Sequence, residues 1–284
     1  MLGGVASEAP ERLIAPLAPE ARGAAPGRGR LAGRRVLVVG AGTRPSAEAD
    51  APPGNGRAIA CLCAREGAAV ACADRDEAAA RETLRLVEAD GGSAALLVTD
   101  VAEAGACDAL AGRAAAALGG LDGVVLNVGI AEGMGLAGTD AGAWDRTFAV
   151  NLRAHFLVAR AALPLLPPGS AIVFIGSIAG LRPGSRLPAY DASKAGLAGL
   201  CRHVAFEGAR RGVRANLVVP GLIDTPLGRL ASAGRPSRAR TPVPLGRQGT
   251  AWEVAYAAAF LLSEEASYVT GQALVVDGGL ASVG

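Results

Sequence analysis

Lys194 is the chain's single lysine; every other residue among its 28 Lys and Arg is arginine. It stands four positions after Tyr190, in Tyr190-Asp191-Ala192-Ser193-Lys194. On a helix this spacing stacks phenol and amine on one face, where the positive charge favours the phenolate form. A compact ammonium on a flexible stem can do this where a planar guanidinium cannot. Tyr190 is therefore a candidate general acid/base. Tyr-x-x-x-Lys also arises by accident on exposed helices, so the assignment depends on whether the rest of a redox site accompanies it.

The elements that must position this pair are legible from residue 35 onward. Short apolar runs at 36–39, 69–73, 94–98, 124–126, 171–175, 215–219 and 273–276 alternate with longer Ala-rich helical stretches. Strands covered by helices on both faces read as continuous apolar runs, which predicts an α/β, doubly wound Rossmann fold with one parallel sheet of about seven strands. Ligands of such sheets bind at the carboxyl ends of the strands. A length of 284 residues with 51% hydrophobic content suits one domain over 31–284. Residues 1–30, rich in Ala, Pro, Gly and Arg, read as a disordered lead-in with neither a signal peptide nor a core-facing element.

The first strand ends in Gly40-Ala41-Gly42-Thr43-Arg44, and a helix opens with Gly54-Asn55-Gly56-Arg57. Glycines at a strand-to-helix turn let backbone approach a pyrophosphate, which the helix amino terminus then holds. A strict G-x-G-x-x-G is absent because Pro45 occupies its third position, so an ordinary glycine-rich turn is the competing reading. Asp74, eighteen residues beyond Gly56, stands where an acidic side chain meets the ribose hydroxyls of NAD and repels the 2′-phosphate of NADP. Arg75 argues the other way.

A net charge of +2 gives no sign of a nucleic-acid surface, and no apolar run reaches the roughly 20 residues that span a bilayer. Five cysteines at scattered positions fit a reducing cytoplasm. Cys61 and Cys63 are expected on different sides of a helix, and two histidines are few for a metal site, so no metal is expected.

Taken in order, Gly40, Gly54, Gly56, Asp74, Asp100-Val101, Asn127-Val128-Gly129, Asn151, Ser177, Tyr190, Lys194 and Pro220-Gly221 resemble the short-chain dehydrogenase/reductase family over residues 31–284. The resemblance implies a catalytic tetrad. Tyr190 is the acid/base; Lys194 supports it and holds the nicotinamide ribose; Ser177 polarises the substrate carbonyl; Asn151 positions a water linking Lys194 to solvent. It further implies cofactor contacts at Gly40, Gly54, Asn55, Gly56, Asp74, Arg75, Asp100, Val101, Asn127, Gly129, Pro220, Gly221, Ile223 and Thr225. NAD is preferred over NADP. The implied reaction interconverts a small-molecule secondary alcohol and a ketone by hydride transfer, in a homo-oligomer, tetramer or dimer, built on the helices near Asn151 and Tyr190.

Two departures stand out. Thirteen residues separate Gly40 from Gly54 where the family has three, and Leu126 and Val128 replace Asn and Ala in its Asn-Asn-Ala-Gly turn. The 45–53 insert is expected to be a surface flap at the adenosine end. Glu132, Met134 and residues 181–187 are expected to line the substrate pocket, with Arg229, Arg235, Arg238 and Arg240 in a lid over it. A nucleotide sensor on the same fold is the rival reading, which the full tetrad disfavours. A serine hydrolase lacks the G-x-S-x-G spacing around Ser177, and His155 and His203 fall in helical runs.

Overall fold

The computed structural model describes residues 17–48, 50–233 and 241–283. Each apolar run becomes a strand. β1 (Arg35–Val39), β2 (Ala69–Asp74), β3 (Ser93–Val98), β4 (Gly123–Leu126), β5 (Ala171–Ile175) and β6 (Arg214–Pro220) lie in one parallel sheet with β9 (Ala273–Val276), in the order β3-β2-β1-β4-β5-β6-β9. β7 (Ile223–Asp224) and β8 (Gly249–Thr250) form a separate parallel pair. The strand order reverses between β1 and β4, which opens a crevice beyond their carboxyl ends.

The helices are α1 (Asn55–Arg65), α2 (Glu77–Ala89), α3 (Ala104–Leu118), α4 (Ala141–Phe148), α5 (Ala154–Ala162), α6 (Pro188–Ala209), α7 (Pro226–Ser232) and α8 (Ala251–Leu262). Alternate residues of β1 enter opposite layers: Leu37 and Val39 pack with Leu110, Leu157 and Leu197 of α3, α5 and α6. Val36 and Val38 pack with Ile59, Leu62 and Leu261 of α1 and α8. The expected covering of both faces fails at β9, where Ala273, Leu274 and Val275 are exposed at the sheet edge.

The expected disordered lead-in is corrected for residues 17–30; residues 1–16 lie outside the described residues. Glu20–Arg22 form a short 3-10 turn with Ala21 buried, and Thr250 Oγ1 donates to Ala21 O at 2.7 Å. Gly23 packs so closely on Trp252 that a Cβ there would lie 2.1 Å from the indole. Glu66, whose side chain is fully buried, accepts from the backbone N–H of Arg28 and Arg30 at 2.9 and 3.1 Å and from the Arg30 guanidinium at 2.9 Å. Burial alone would push its pKa up; these donors hold it below the usual carboxylate value.

The insert leaves and rejoins the fold at one point: Gly54 N donates to Thr43 Oγ1 at 2.9 Å. Its two ends are thus already adjacent. It roofs a cavity of about 740 Å³ against α1 and α2, lined by Pro45, Pro52, Pro53, Arg57, Leu86 and Trp252 among others.

Candidate active site

A groove of about 450 Å³ runs along the carboxyl ends of the strands, from Asp74 beyond β2 to Tyr190 and Lys194 on α6. Chemistry belongs here and not in the larger cavity, because only this groove contains the Tyr–Lys pair.

At its amino-terminal end the close approaches are set by glycines. Gly40 adopts φ +79, a left-handed conformation only glycine takes without strain, and a Cβ on Gly56 would sit 1.7 Å from Gly40 O. Asn127 Nδ2 donates to the same carbonyl at 2.9 Å. α1 therefore starts hard against the end of β1. Asp76, Asp140 and Thr250 cap α2, α4 and α8 with their side chains, whereas α1 begins at Gly54, which offers none. Its first-turn N–H groups and the partial positive charge of the helix end suit a pyrophosphate. Asn55 lines the groove there with a buried, unpartnered Oδ1. Amide oxygen and nitrogen exchange by a flip, which would place an NH₂ donor at that position.

Asp74 is held rigidly, its two oxygens accepting from Gly42 N at 2.9 Å and Asp76 N at 3.1 Å. Arg75, Asp100, Val101, Gly129 and Thr225 also line the groove. Pro220, Gly221 and Ile223 stand at and just beyond the end of β6. Pro220 is buried in β6, Gly221 N is spent on Val276 O, and the Ile223 side chain lies in the core under α8.

α6 carries Tyr190 in its first turn and Lys194 one turn later, so the predicted stacking is realised: Lys194 Nζ lies 5.8 Å from the Tyr190 ring centroid. Lys194 is only 5% exposed, and its ammonium donates to Ile175 O at the end of β5 at 3.0 Å. Burial lowers its pKa to about 8. An ammonium has three donors; among the described residues Ile175 O takes one. Gly129 faces it, and a Cβ there would lie 3.3 Å from Nζ.

Asn151 is fully buried in a single π turn, Ala149–Arg153, between α4 and α5. Such turns occur often at functional sites because they re-aim side chains. Its Oδ1 accepts from Ile130 N and its Nδ2 donates to Ile130 O, both at 2.8 Å, and Nδ2 also reaches Ser193 Oγ at 3.1 Å. Ser193 Oγ donates in turn to Tyr190 O at 2.8 Å. Ser193, which the sequence reading passed over, thus joins Asn151 to the turn carrying Tyr190. Its position mid-helix was the available signal, since such serines bond backbone carbonyls three or four residues back.

Ser177 follows β5 in extended conformation and accepts from Ala179 N at 3.2 Å. The turn behind it packs directly on α6: a Cβ on Gly180 would lie 2.7 Å from Lys194 C. This close approach fixes Ser177 relative to the Tyr–Lys helix. Of the expected pocket residues, Met134 is exposed and Glu132 is drawn away to Arg146 at 2.8 Å. The loop 181–187 meets the 133–139 loop through Gly135 N donating to Arg186 O at 2.8 Å. Arg235, Arg238 and Arg240 lie outside the described residues. His155 is buried structurally, bonded through Nε2 to Leu126 O at 3.1 Å, and His203 pairs with Glu207 on the surface.

Residues 51–281 match the family model described as enoyl-(acyl carrier protein) reductase. The chain is 36% identical over 262 residues to 2-(S)-hydroxypropyl-CoM dehydrogenase 3 of Xanthobacter autotrophicus, covering 89% of this chain and 99% of that one. It is also 36% identical to human (3R)-3-hydroxyacyl-CoA dehydrogenase, covering 88% and 97%. A short chain dehydrogenase from Burkholderia cenocepacia, solved in complex with NADP, superposes with a TM-score of 0.81 at 33% identity, covering 89% of this chain and all of that one. The chain therefore belongs to the short-chain dehydrogenase/reductase family, as an oxidoreductase.

Proposed function

We propose that the groove binds a nicotinamide nucleotide and that the chain interconverts a secondary alcohol and a ketone above Tyr190. The observation that carries this reading is the buried Lys194 ammonium, fixed by Ile175 O against the Tyr190 ring on the groove wall. The nicotinamide supplies hydride exchange when bound. Tyr190 moves the substrate proton, Lys194 favours the phenolate and holds the ribose, and Ser177 donates to the substrate oxygen. Asn151 positions Ile130 and, through Ser193, the turn of Tyr190. A sensor without turnover has no use for an ammonium buried beside a phenol.

The test is a panel of secondary alcohols and ketones assayed with each cofactor, on wild type and on Tyr190→Phe and Lys194→Arg. Each variant should fold and lose at least about 10²-fold in turnover, since one lacks the proton and the other replaces a point charge by a bulky fork. Activity within threefold of wild type in both sinks the assignment. Asp74, rigidly held, favours NAD; Arg44 and Arg75 on the same groove oppose it, and a clear kcat/KM advantage for NADP would show that they prevail. The hydroxypropyl-CoM and hydroxyacyl-CoA relatives suggest a hydroxylated substrate on a longer carrier, and exposed Met134, Leu136, Leu181 and Leu227 offer it apolar surface.

Self-association as a tetramer or dimer fits exposed Trp144, Phe156 and Phe206 on α4, α5 and α6; light scattering that returns a monomer would exclude it. Five free, buried cysteines fit a cytoplasmic setting, and no helix among the described residues is long and apolar enough to cross a membrane.

A further inference from the structure

The two rims of the groove come from distant parts of the chain. One is the root of the insert, Thr43 to Pro45, beyond β1; the other is Thr225 to Leu227, at the start of α7 beyond β6. In the sheet, β4 and β5 lie between β1 and β6. Three strand spacings of ~4.8 Å put the rims' parent strands about 14 Å apart. Gly129 beyond β4 and Gly176 beyond β5 line the groove in that interval.

The rims are nevertheless joined. Arg229 of α7 donates through Nε and Nη2 to Asp224 at 2.7 and 2.9 Å, and its remaining terminal nitrogen, Nη1, reaches across to the Glu48 carboxylate of the insert. Glu48 is presented by a local turn in which its own N–H donates to Ser46 Oγ and its carbonyl accepts from Ala51 N, both at 3.2 Å. Pro45, Pro52 and Pro53 restrict the chain on either side. The acidic insert does not carry a free charge at Glu48, as an electrostatic barrier to a 2′-phosphate would need; that carboxylate is committed to α7.

We propose that the insert, through its described residues 45–48 and 50–53, is a clasp across the cofactor groove, with Glu48 the positioning residue that ties it to α7 through Arg229 and slows release of the bound nucleotide. This rests on the reading of the groove as a nicotinamide-nucleotide site. A nucleotide seated between the rims leaves only when the tie opens, and the tie, being half exposed, opens more readily as salt screens it.

Release of bound NADH and NADPH, followed by nicotinamide fluorescence after rapid displacement, tests this on wild type, Glu48→Gln, Arg229→Gln and the double variant. Glu48→Gln should release about threefold faster, the scale expected of one exposed ion pair. The double variant should be no faster than Arg229→Gln alone. Raising sodium chloride from about 0.05 to 0.5 M should accelerate wild-type release and leave Glu48→Gln nearly unchanged. Unchanged release in Glu48→Gln, or the same salt dependence in both proteins, overturns the clasp while leaving the nucleotide site standing. Failure of the wild type to bind either nucleotide overturns the groove reading itself, and the clasp with it.

Discussion

Excising residues 44–53 should leave a folded protein, because the two ends of the insert already meet. Gly54 N bonds Thr43 Oγ1 at 2.9 Å, and a Cβ on Gly54 would lie 3.6 Å from Thr43 Cα, in van der Waals contact. Joining Thr43 to Gly54 shortens the connection between Gly40 and Gly54 from thirteen residues to three. Loop-closure entropy then favours the folded state by roughly 1.3 kcal/mol, taking (3/2)RT ln(13/3). Against this stand the loss of the half-exposed Glu48 ion pair, which contributes little, and some uncovered apolar surface at Leu86 and Trp252. The opposing effects are of similar size, and a domain this large shifts by roughly 2–4 °C per kcal/mol. The melting temperature should therefore stay within about 4 °C of wild type by circular dichroism. Cofactor affinity, titrated by fluorescence for NADH and NADPH, should change. A variant that no longer unfolds cooperatively refutes the structural half of the reasoning, and unaltered affinity for both nucleotides refutes the functional half.

Two buried groups set expectations for pH. Burial holds Lys194 at about 8 against an ordinary 10.5, so between these values the unfolded chain carries a proton the native state lacks, and stability should rise with pH by at most about 1.4 kcal/mol per unit. Denaturant unfolding of wild type and Lys194→Met from about pH 7.5 to 10 should show the difference growing in wild type's favour; a constant difference contradicts it. His155 is held at about 3 by burial and, secondarily, by the charge of Lys194. The stability of keeping it neutral is complete above pH 6.5 and falls with acid, by about 2 kcal/mol at pH 5. His155→Gln, which retains a donor for Leu126 O, should flatten that acid limb, and an unchanged limb would assign it to other groups.

The sheet was legible because residues buried on both sides must all be apolar, so runs such as 171–175 announce β5 without any longer-range information. The Tyr190–Lys194 pairing was legible for a similar reason: helix periodicity alone places phenol and ammonium on one face. Asn151 and Ser177 came from family likeness, since a π turn is a shift in backbone hydrogen bonding that no side-chain pattern marks. The ordering of residues 17–30 was missed because it rests on single small residues, Ala21 bonded to Thr250 and Gly23 seated against Trp252, each more than two hundred residues away, and on a buried carboxylate 36 residues from its guanidinium. The Glu48–Arg229 tie leaves no mark in the sequence, because the two residues are 181 positions apart.

The seating of residues 17–30 also bears on the order in which the protein can assemble as it is made. This segment leaves the ribosome more than two hundred residues before Thr250 and Trp252, which form part of its seat. It must wait, undocked, while nearly the whole domain is synthesised. Until Arg30 docks, the Glu66 carboxylate stays outside its buried niche, and the end of α1 around it is left open to water. Final closure of the α1–α8 layer is thus a late event that depends on a contact of very long sequence separation, the kind that forms slowly. A nascent chain stalled before residue 252 would hold β1 to β6 and its Tyr–Lys helix but would lack α8, β9 and the seat on which residues 17–30 close.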